Sequence, residues 1–285
     1  MSDLSAMIVG CGDVGGRLAR QLLARGWRVD GLRRSIAQLP DGVRPVAADL
    51  SEPRVPAAWP TQAPDYLVYC VAASQHDEAG YQAAYVEGLR HVLGWLESAG
   101  QRPRRLLFVS SSSVYAQQNG EWVDETAATE PEGYSGRVML EAERLALGSG
   151  IPASVVRLTG IYGPGREWLL SQVRQGYRVA QEPPLYGNRI HAEDAAGLLA
   201  FLLQADRDGV ALEDYYIGVD DDPAPLADVV AWLRQYMGVT EWSDEQRVRR
   251  TGSKRCSNAR ARALGWAPAY ASYKEGYAAI LQGRG

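Results

Sequence analysis

An α/β fold, with a doubly wound parallel sheet and a smaller C-terminal part, is what the sequence predicts. Three observations carry this. Short apolar runs alternate with amphipathic stretches through about residue 160, a glycine-rich turn joins the first run to the first amphipathic stretch, and prolines break the rhythm beyond Gly160. At roughly 150 residues per domain, 285 residues suffice for one large domain or a domain with an appendage.

Ala6-Met7-Ile8-Val9 reads as a strand ending in glycines, and Val14, Leu18, Leu22 and Leu23 follow at helical spacing up to Gly26. Trp27 to Leu32 resumes as a strand and Val43 to Ala48 as another. Tyr66 to Ala73 is an unbroken apolar run, the pattern of a strand covered on both faces. From 77 to 99, Tyr81, Tyr85, Leu89, Val92, Leu93 and Leu96 form one helical stripe. Arg105 to Val109 reads as a strand, Val138 to Leu147 as a helix and Ala153 to Leu158 as a strand. Such alternation implies parallel strands joined by right-handed crossovers. Pro164, Pro183, Pro184, Pro223, Pro225 and Pro268 then interrupt the pattern, with 189–217 (strand, helix, strand) expected to return to the main sheet.

A content of 46% hydrophobic and 22% charged residues predicts a soluble, folded chain. Thirty basic against 34 acidic side chains, without a block of like charge, argue against nucleic acid and an anionic membrane as partners. The run at 66–73 is far short of the roughly 18 residues of a membrane-spanning helix. Asp3 stands where an export signal would be basic, so neither export nor insertion is expected. Cys11, Cys70 and Cys256 show no paired spacing, which suits a reducing compartment; the expected location is cytoplasmic. His76, His91 and His191 are too scattered to form a metal centre, and no metal is expected.

Gly10-Cys11-Gly12-Asp13-Val14-Gly15 matches G-x-G-x-x-G with a strand before it and a helix after it, the setting of a Rossmann-type dinucleotide site. Gly10, Gly12 and Gly15 permit the tight turn, while the amides of Asp13 and Val14 at the helix start face a pyrophosphate. An NAD site places a carboxylate at the tip of the second strand. Here Asp30 sits inside the run and the tip offers Arg33 and Arg34, whose guanidinium groups suit a 2′-phosphate or are simply solvated. NADP is therefore the expected cofactor, ahead of NAD. Asp49 and Leu50, after the third strand, are placed either to meet the adenine end or, through Asp49, to cap the following turn. Val71, Ala72 and Ala73, at the carboxyl end of the fourth run, complete the cofactor set, because sheets of this type bind ligands there.

Four segments resemble the extended short-chain dehydrogenase/reductases, the NAD-dependent epimerase/dehydratase group. They are the glycine turn; Val109-Ser110-Ser111-Ser112-Ser113-Val114-Tyr115, similar to V-S-S-x-x-V-Y-G; Arg157 to Gly165, similar to R-x-x-x-x-Y-G-P-G; and Asn188 to Asp194, similar to the I-H-x-x-D segment. The resemblance implies that Ser111, four residues before the tyrosine, binds the substrate oxygen. A serine cluster at the carboxyl end of a buried parallel strand fits that role, and equally fits a hydroxyl-rich turn. The family's Y-x-x-x-K reads Tyr134-Ser135-Gly136-Arg137-Val138 here, so Tyr134 lacks its lysine and Arg137 is the one cation inside the motif. Anchored instead on Glu143, the lysine position falls one residue later on Met139 and Tyr134 is out of register, so Tyr134 and Arg137 are open to a catalytic or a structural reading. A phenol needs a nearby cation to act as a base at neutral pH. These departures resemble the atypical branch of the family, as does Lys254 to Arg260 followed by Leu264-Gly265-Trp266. Lys254 and Arg255 there either serve an anionic substrate or form a solvated cluster.

The change of rhythm at Gly160 predicts a Rossmann domain over 1–160, with 189–217 returning to it, and a smaller part from 161–188 and 218–285, which the resemblance implies binds substrate. The resemblance also implies an NAD(P)-dependent oxidoreductase, epimerase or dehydratase acting on a hydroxyl or keto carbon of a small molecule, with Ser111, Tyr134 and Arg137 as catalytic candidates. A sugar nucleotide is one such substrate. A homodimer paired through the helices near 77–99 and 134–149 is the implied assembly. The competing expectation, raised by the missing lysine, is an NADP-binding redox sensor. His191 and Asp194, at the start of a helix, read as packing and capping residues.

Overall fold

A computed structural model of the chain describes residues 4–243 and 252–284; Asp3 and part of the 218–285 stretch lie outside them. In chain order the first elements are β1 (Ser5–Val9), α1 (Asp13–Leu23), β2 (Arg28–Arg33), β3 (Arg44–Ala47), β4 (Tyr66–Tyr69), α2 (Glu78–Tyr81), α3 (Gly88–Ser98) and β5 (Arg105–Ser111). A π-helical turn, Gln82–Glu87, joins α2 to α3. Then come β6 (Glu121–Val123), α4 (Tyr134–Leu147), β7 (Ala153–Leu158), β8 (Gly160–Tyr162), α5 (Trp168–Arg174), β9 (Arg189–His191) and α6 (Ala192–Arg207). The last are β10 (Tyr215–Gly218), α7 (Leu226–Met237), β11 (Lys254–Cys256), α8 (Ala259–Leu264) and α9 (Tyr273–Leu281).

Seven strands form one sheet in the order β10-β7-β5-β4-β1-β2-β3, the Rossmann-type arrangement expected. Neighbours run parallel, as in Ala6↔Val29 of β1 and β2 and Ala6↔Tyr66 of β1 and β4. Every residue of β1 and β4 is buried, which explains why both read as continuous apolar runs rather than alternating ones. Val14, Leu18 and Leu22 of α1, and Leu89, Val92 and Leu96 of α3, are buried as their spacing predicts. Each such side chain contributes about 1.5–3 kcal/mol of hydrophobic stabilisation. β3 closes one edge and carries Arg44 and Pro45.

Three boundaries differ from the sequence expectation by two residues or more. The run 66–73 leaves the ladder after Cys70, whose amide donates to the Val9 carbonyl (2.8 Å), because β1 ends there and Gly10 turns away with a φ of 84°. β5 continues to Ser111. α4 starts at Tyr134, ahead of its first apolar residue, since Gly136 lets the helix start lie against Pro131 and the Ser113 carbonyl. Of the 189–217 stretch, β10 joins the main sheet, whereas β9 pairs in parallel with β8 in a separate ladder.

The chain forms two compact units. One comprises Met1–Val114, Glu130–Arg157 and Ala196–Tyr216; the other comprises Tyr115–Thr129, Leu158–Ala195 and Ile217–Gly285. In the first, Glu143 of α4 accepts from Arg157 of β7 at both carboxylate oxygens (3.0 and 2.7 Å) and from the Ser110 hydroxyl of β5 (2.5 Å). Arg157 also lies 4.4 Å over the Tyr215 ring. In the second, Leu169, Leu170 and Val173 pack with Leu226, Val229 and Leu233. Tyr162 presses its hydroxyl where any side chain at Gly276 would sit. β6 and β11 form a parallel ladder in the same unit.

Candidate cofactor and active site

The glycine turn is anchored to the end of β2: the amides of Gly10 and Cys11 both donate to the Leu32 carbonyl (3.0 and 3.1 Å). A Cβ on Gly10 would stand 2.5 Å from the Cys70 carbonyl oxygen, and one on Gly15 would stand 2.6 Å from the Gly10 oxygen and 3.1 Å from Ile8. These two glycines let α1 begin in backbone contact with β1. Gly12 is different, since a Cβ there meets nothing nearer than 4.0 Å. No side chain caps α1, and its N-cap is Gly12 itself. A helix start with no side-chain cap, with open space at the middle glycine, fits a pyrophosphate. Val14 is buried, so its contribution to such a ligand is its amide; the Asp13 carboxylate accepts from Arg17 (2.8 Å). Burial pushes the Cys11 thiol up to about 11, and it stays protonated.

At the tip of β2, Arg33 donates to the Cys11 carbonyl (3.3 Å) and to Gln38 Oε1 (2.5 Å), which holds its guanidinium beside the turn. Arg34 is exposed, and its charge helps hold the Asp49 carboxyl below the usual range, after the larger effect of hydrogen bonds from Ser51. Those bonds, from the Ser51 amide (3.0 Å) and hydroxyl (2.9 Å), form the turn-capping arrangement open to Asp49 from the sequence. Asp30 is buried and bound by Arg44 (2.7 Å), so its carboxylate is committed within the sheet. The Leu50 carbonyl accepts from His91 of α3 (2.7 Å). Val71, Ala72 and Ala73 form the loop leaving β4, and the Ala73 amide donates to the Tyr85 hydroxyl (3.3 Å).

The four serines after Val109 have separate duties. Ser110 belongs to the buried Glu143 cluster, whereas half-buried Ser111, at the end of β5, accepts from the Ser113 amide (3.2 Å). The first turn of α4 rests directly on this segment, since a Cβ on Gly136 would lie 2.4 Å from the Ser113 carbonyl. Ser111, Tyr134 and Arg137 thus belong to one unit. The Tyr134 hydroxyl donates to the His76 carbonyl, and its ring meets that of Tyr81 edge-on (5.4 Å). Arg137 is exposed, donates to the Glu132 carbonyl (2.5 Å) and faces Glu78 at 3.6 Å. Val138, where the family motif has lysine, is buried.

In the second unit Lys254 is not solvated. It is buried, donates to the Tyr115 carbonyl (3.0 Å), and burial lowers its pKa. Arg255 lies over the Trp122 and Tyr186 rings (5.1 and 4.8 Å) and donates to the Gly120 carbonyl (2.7 Å). His191 is fully buried and accepts from the Glu193 amide (3.2 Å), while Asp194 accepts from the amides of Ala269 (2.6 Å) and Tyr270 (3.0 Å). Both therefore pack and cap. Among the described residues, no His/Cys/Asp/Glu group could hold a metal ion, and no helix is long and apolar enough to cross a membrane. Sequence reasoning missed Tyr85, His91 and Glu143 as supports of the site. The four-residue repeat of Tyr81 and Tyr85 was the only signal for any of them.

The sheet order and the glycine turn define a Rossmann-type protein. The chain belongs to the NAD-dependent epimerase/dehydratase family, whose pattern matches residues 6–218. It is 31% identical over 216 residues to Protein YeeZ of Escherichia coli K12, covering 71% of this chain and 74% of that protein. A solved structure from Methylobacillus flagellatus, described as a candidate NAD-dependent epimerase/dehydratase, is 38% identical over 99% of both chains with a TM-score of 0.82. The UDP-glucose 4-epimerase of Thermus thermophilus in complex with NAD is 18% identical, covers 96% of both chains and has a TM-score of 0.79, a likeness of fold alone.

Proposed function

We propose that the chain is an NADP-dependent oxidoreductase, epimerase or dehydratase that acts on a hydroxyl or keto carbon of a small molecule. The observation that carries this is the glycine turn: two glycines with no room for a side chain flank one with ample room, in front of an uncapped helix. Gly10, Gly12 and Gly15, with the amides of Asp13 and Val14, would hold the pyrophosphate. Arg33, already leaning on Cys11, and Arg34 would clasp the 2′-phosphate, because Asp30 is spent on Arg44 and no longer serves a ribose hydroxyl. The nicotinamide, when bound, supplies hydride transfer. Ser111 would donate to the substrate oxygen while Tyr134 exchanges the proton. For that exchange, Arg137 would have to leave Glu132 and Glu78 for the phenol.

The second reading, a redox sensor that binds NADP without turnover, is favoured by buried Val138 in the lysine position and by the contacts that hold Arg137 elsewhere. Calorimetry with NADPH and NADH tests the cofactor. NADPH is expected to bind at least about tenfold tighter, as charge-assisted bonds to a phosphate exceed those to a hydroxyl, and Arg33→Ala is expected to remove the difference. Equal affinities in the wild type would refute the NADP assignment. Incubation with a panel of hydroxy-ketones and sugar nucleotides then separates enzyme from sensor, by whether bound NADP is reduced or, for an epimerase or dehydratase that returns the hydride, whether the substrate is converted.

A further inference from the structure

We infer that Tyr85 is a positioning residue for the cofactor, placed by the π-helical turn Gln82–Glu87, on the reading that Val71, Ala72 and Ala73 contact the cofactor. A π turn inside a helix is uncommon and tends to mark a functional position. This one is held from β4: the Tyr69 hydroxyl donates to the Ala84 carbonyl (2.5 Å). Tyr69 is fully buried, and its oxygen lies 2.6 Å from where a Cβ on Gly88 would be, so glycine at that position is what admits the hydroxyl. From the same turn the Tyr85 hydroxyl receives the Ala73 amide (3.3 Å), and the Tyr81 ring lies 5.1 Å from that of Tyr85, with Tyr134 beyond it. Burial raises the Tyr85 pKa, so the group at this amide is a neutral phenol.

The circuit starts on β4 and returns to the loop that leaves β4. It fixes where that loop's backbone stands at Ala73, beyond the last ladder bond to β1, which Cys70 makes to the Val9 carbonyl. β4 lies on the opposite side of β1 from β2. With the adenosine half clasped at β2, a ligand straddling β1 brings its nicotinamide half to Ala73. Tyr85 therefore acts on one half of the ligand only.

Tyr85→Phe keeps the ring and removes the oxygen. NADPH affinity is expected to fall about three- to tenfold, the loss of one neutral hydrogen bond, while 2′,5′-ADP, which lacks the nicotinamide half, binds within about twofold of wild type. Amide hydrogen exchange at Ala73 accelerates in the same variant without any ligand. Tyr69→Phe moves NADPH affinity in the same direction, and the double variant is no weaker than the worse single one. Unchanged binding of NADPH, unchanged exchange at Ala73, or equal loss of both ligands overturns the role of Tyr85. Failure of the wild-type protein to bind NADPH is visible before any variant is made, and it removes the cofactor reading itself.

Discussion

Three glycines of one turn differ in what they tolerate. Gly10 combines a φ of 84° with a would-be Cβ contact of 2.5 Å to backbone. Gly10→Ala is therefore expected to destabilise the protein by about 2–4 kcal/mol, strain and overpacking together, as thermal denaturation would report. Gly12→Ala meets no such contact and is expected to cost no more than about 1–2 kcal/mol, yet to weaken NADPH binding at least tenfold by occupying the space in front of α1. Equal loss of stability in both variants would show that the space beside Gly12 is occupied. Ser111→Ala is the corresponding test of chemistry. NADPH affinity should be retained and turnover reduced by roughly a hundredfold, the scale of a lost hydrogen-bond donor to a substrate oxygen that gains charge in the transition state. An unaltered rate removes Ser111 from the mechanism.

At the level of elements, α4 is fastened to β5 and β7 by the Ser110, Glu143 and Arg157 cluster, with side-chain exposures of 1% for Glu143 and 4% for Arg157. Arg157→Met leaves a carboxylate buried without its cation and is expected to cost about 3–5 kcal/mol; adding Glu143→Met should recover part of the loss. A cost below about 1 kcal/mol in denaturant titration would mean that water reaches the cluster. None of this was legible in the sequence, because a buried ion pair between a helix and a strand leaves no periodic trace. The main-sheet strands and the helices of the first 160 residues were legible, since apolar runs covered on both faces and four-residue stripes are direct consequences of burial, whereas β6, three residues with two of them exposed, was not. So was the glycine turn, whose geometry excludes other residues. The π turn was not, as Gln82 to Glu87 read simply as helix, and neither was the ladder of β8 with β9, whose partners lie far apart in sequence and are only three residues long. The burial of Lys254 against the Tyr115 carbonyl was neither of the readings open to it, because composition cannot tell a buried cation from an exposed one.

For the molecule as a whole, Asp220 gives a pH dependence of defined sign. Its carboxyl is buried, Oδ2 has no hydrogen-bond partner, and burial pushes its pKa up to about 8 against the pull of Arg189. The unfolded chain releases this proton near the ordinary carboxylate value, while the folded chain keeps it until about pH 8. Between those values the native state binds more protons, so this group's contribution to stability declines as pH rises and then levels off. Asp220→Asn removes the decline. The variant's Tm relative to wild type is expected to be about 5 °C or more higher at pH 8.5 than at pH 4.5. A difference independent of pH would show that Asp220 is already ionised in the folded protein.

The outermost strand of the sheet has a consequence for solubility. β3 offers neighbouring molecules a short ribbon in which Pro45 has no N–H to give and the half-exposed Arg44 guanidinium stays tied to Asp30. A stray strand approaching from outside finds a tertiary amide and a charge where it would need hydrogen-bond donors, so fibrous growth is blocked along that side.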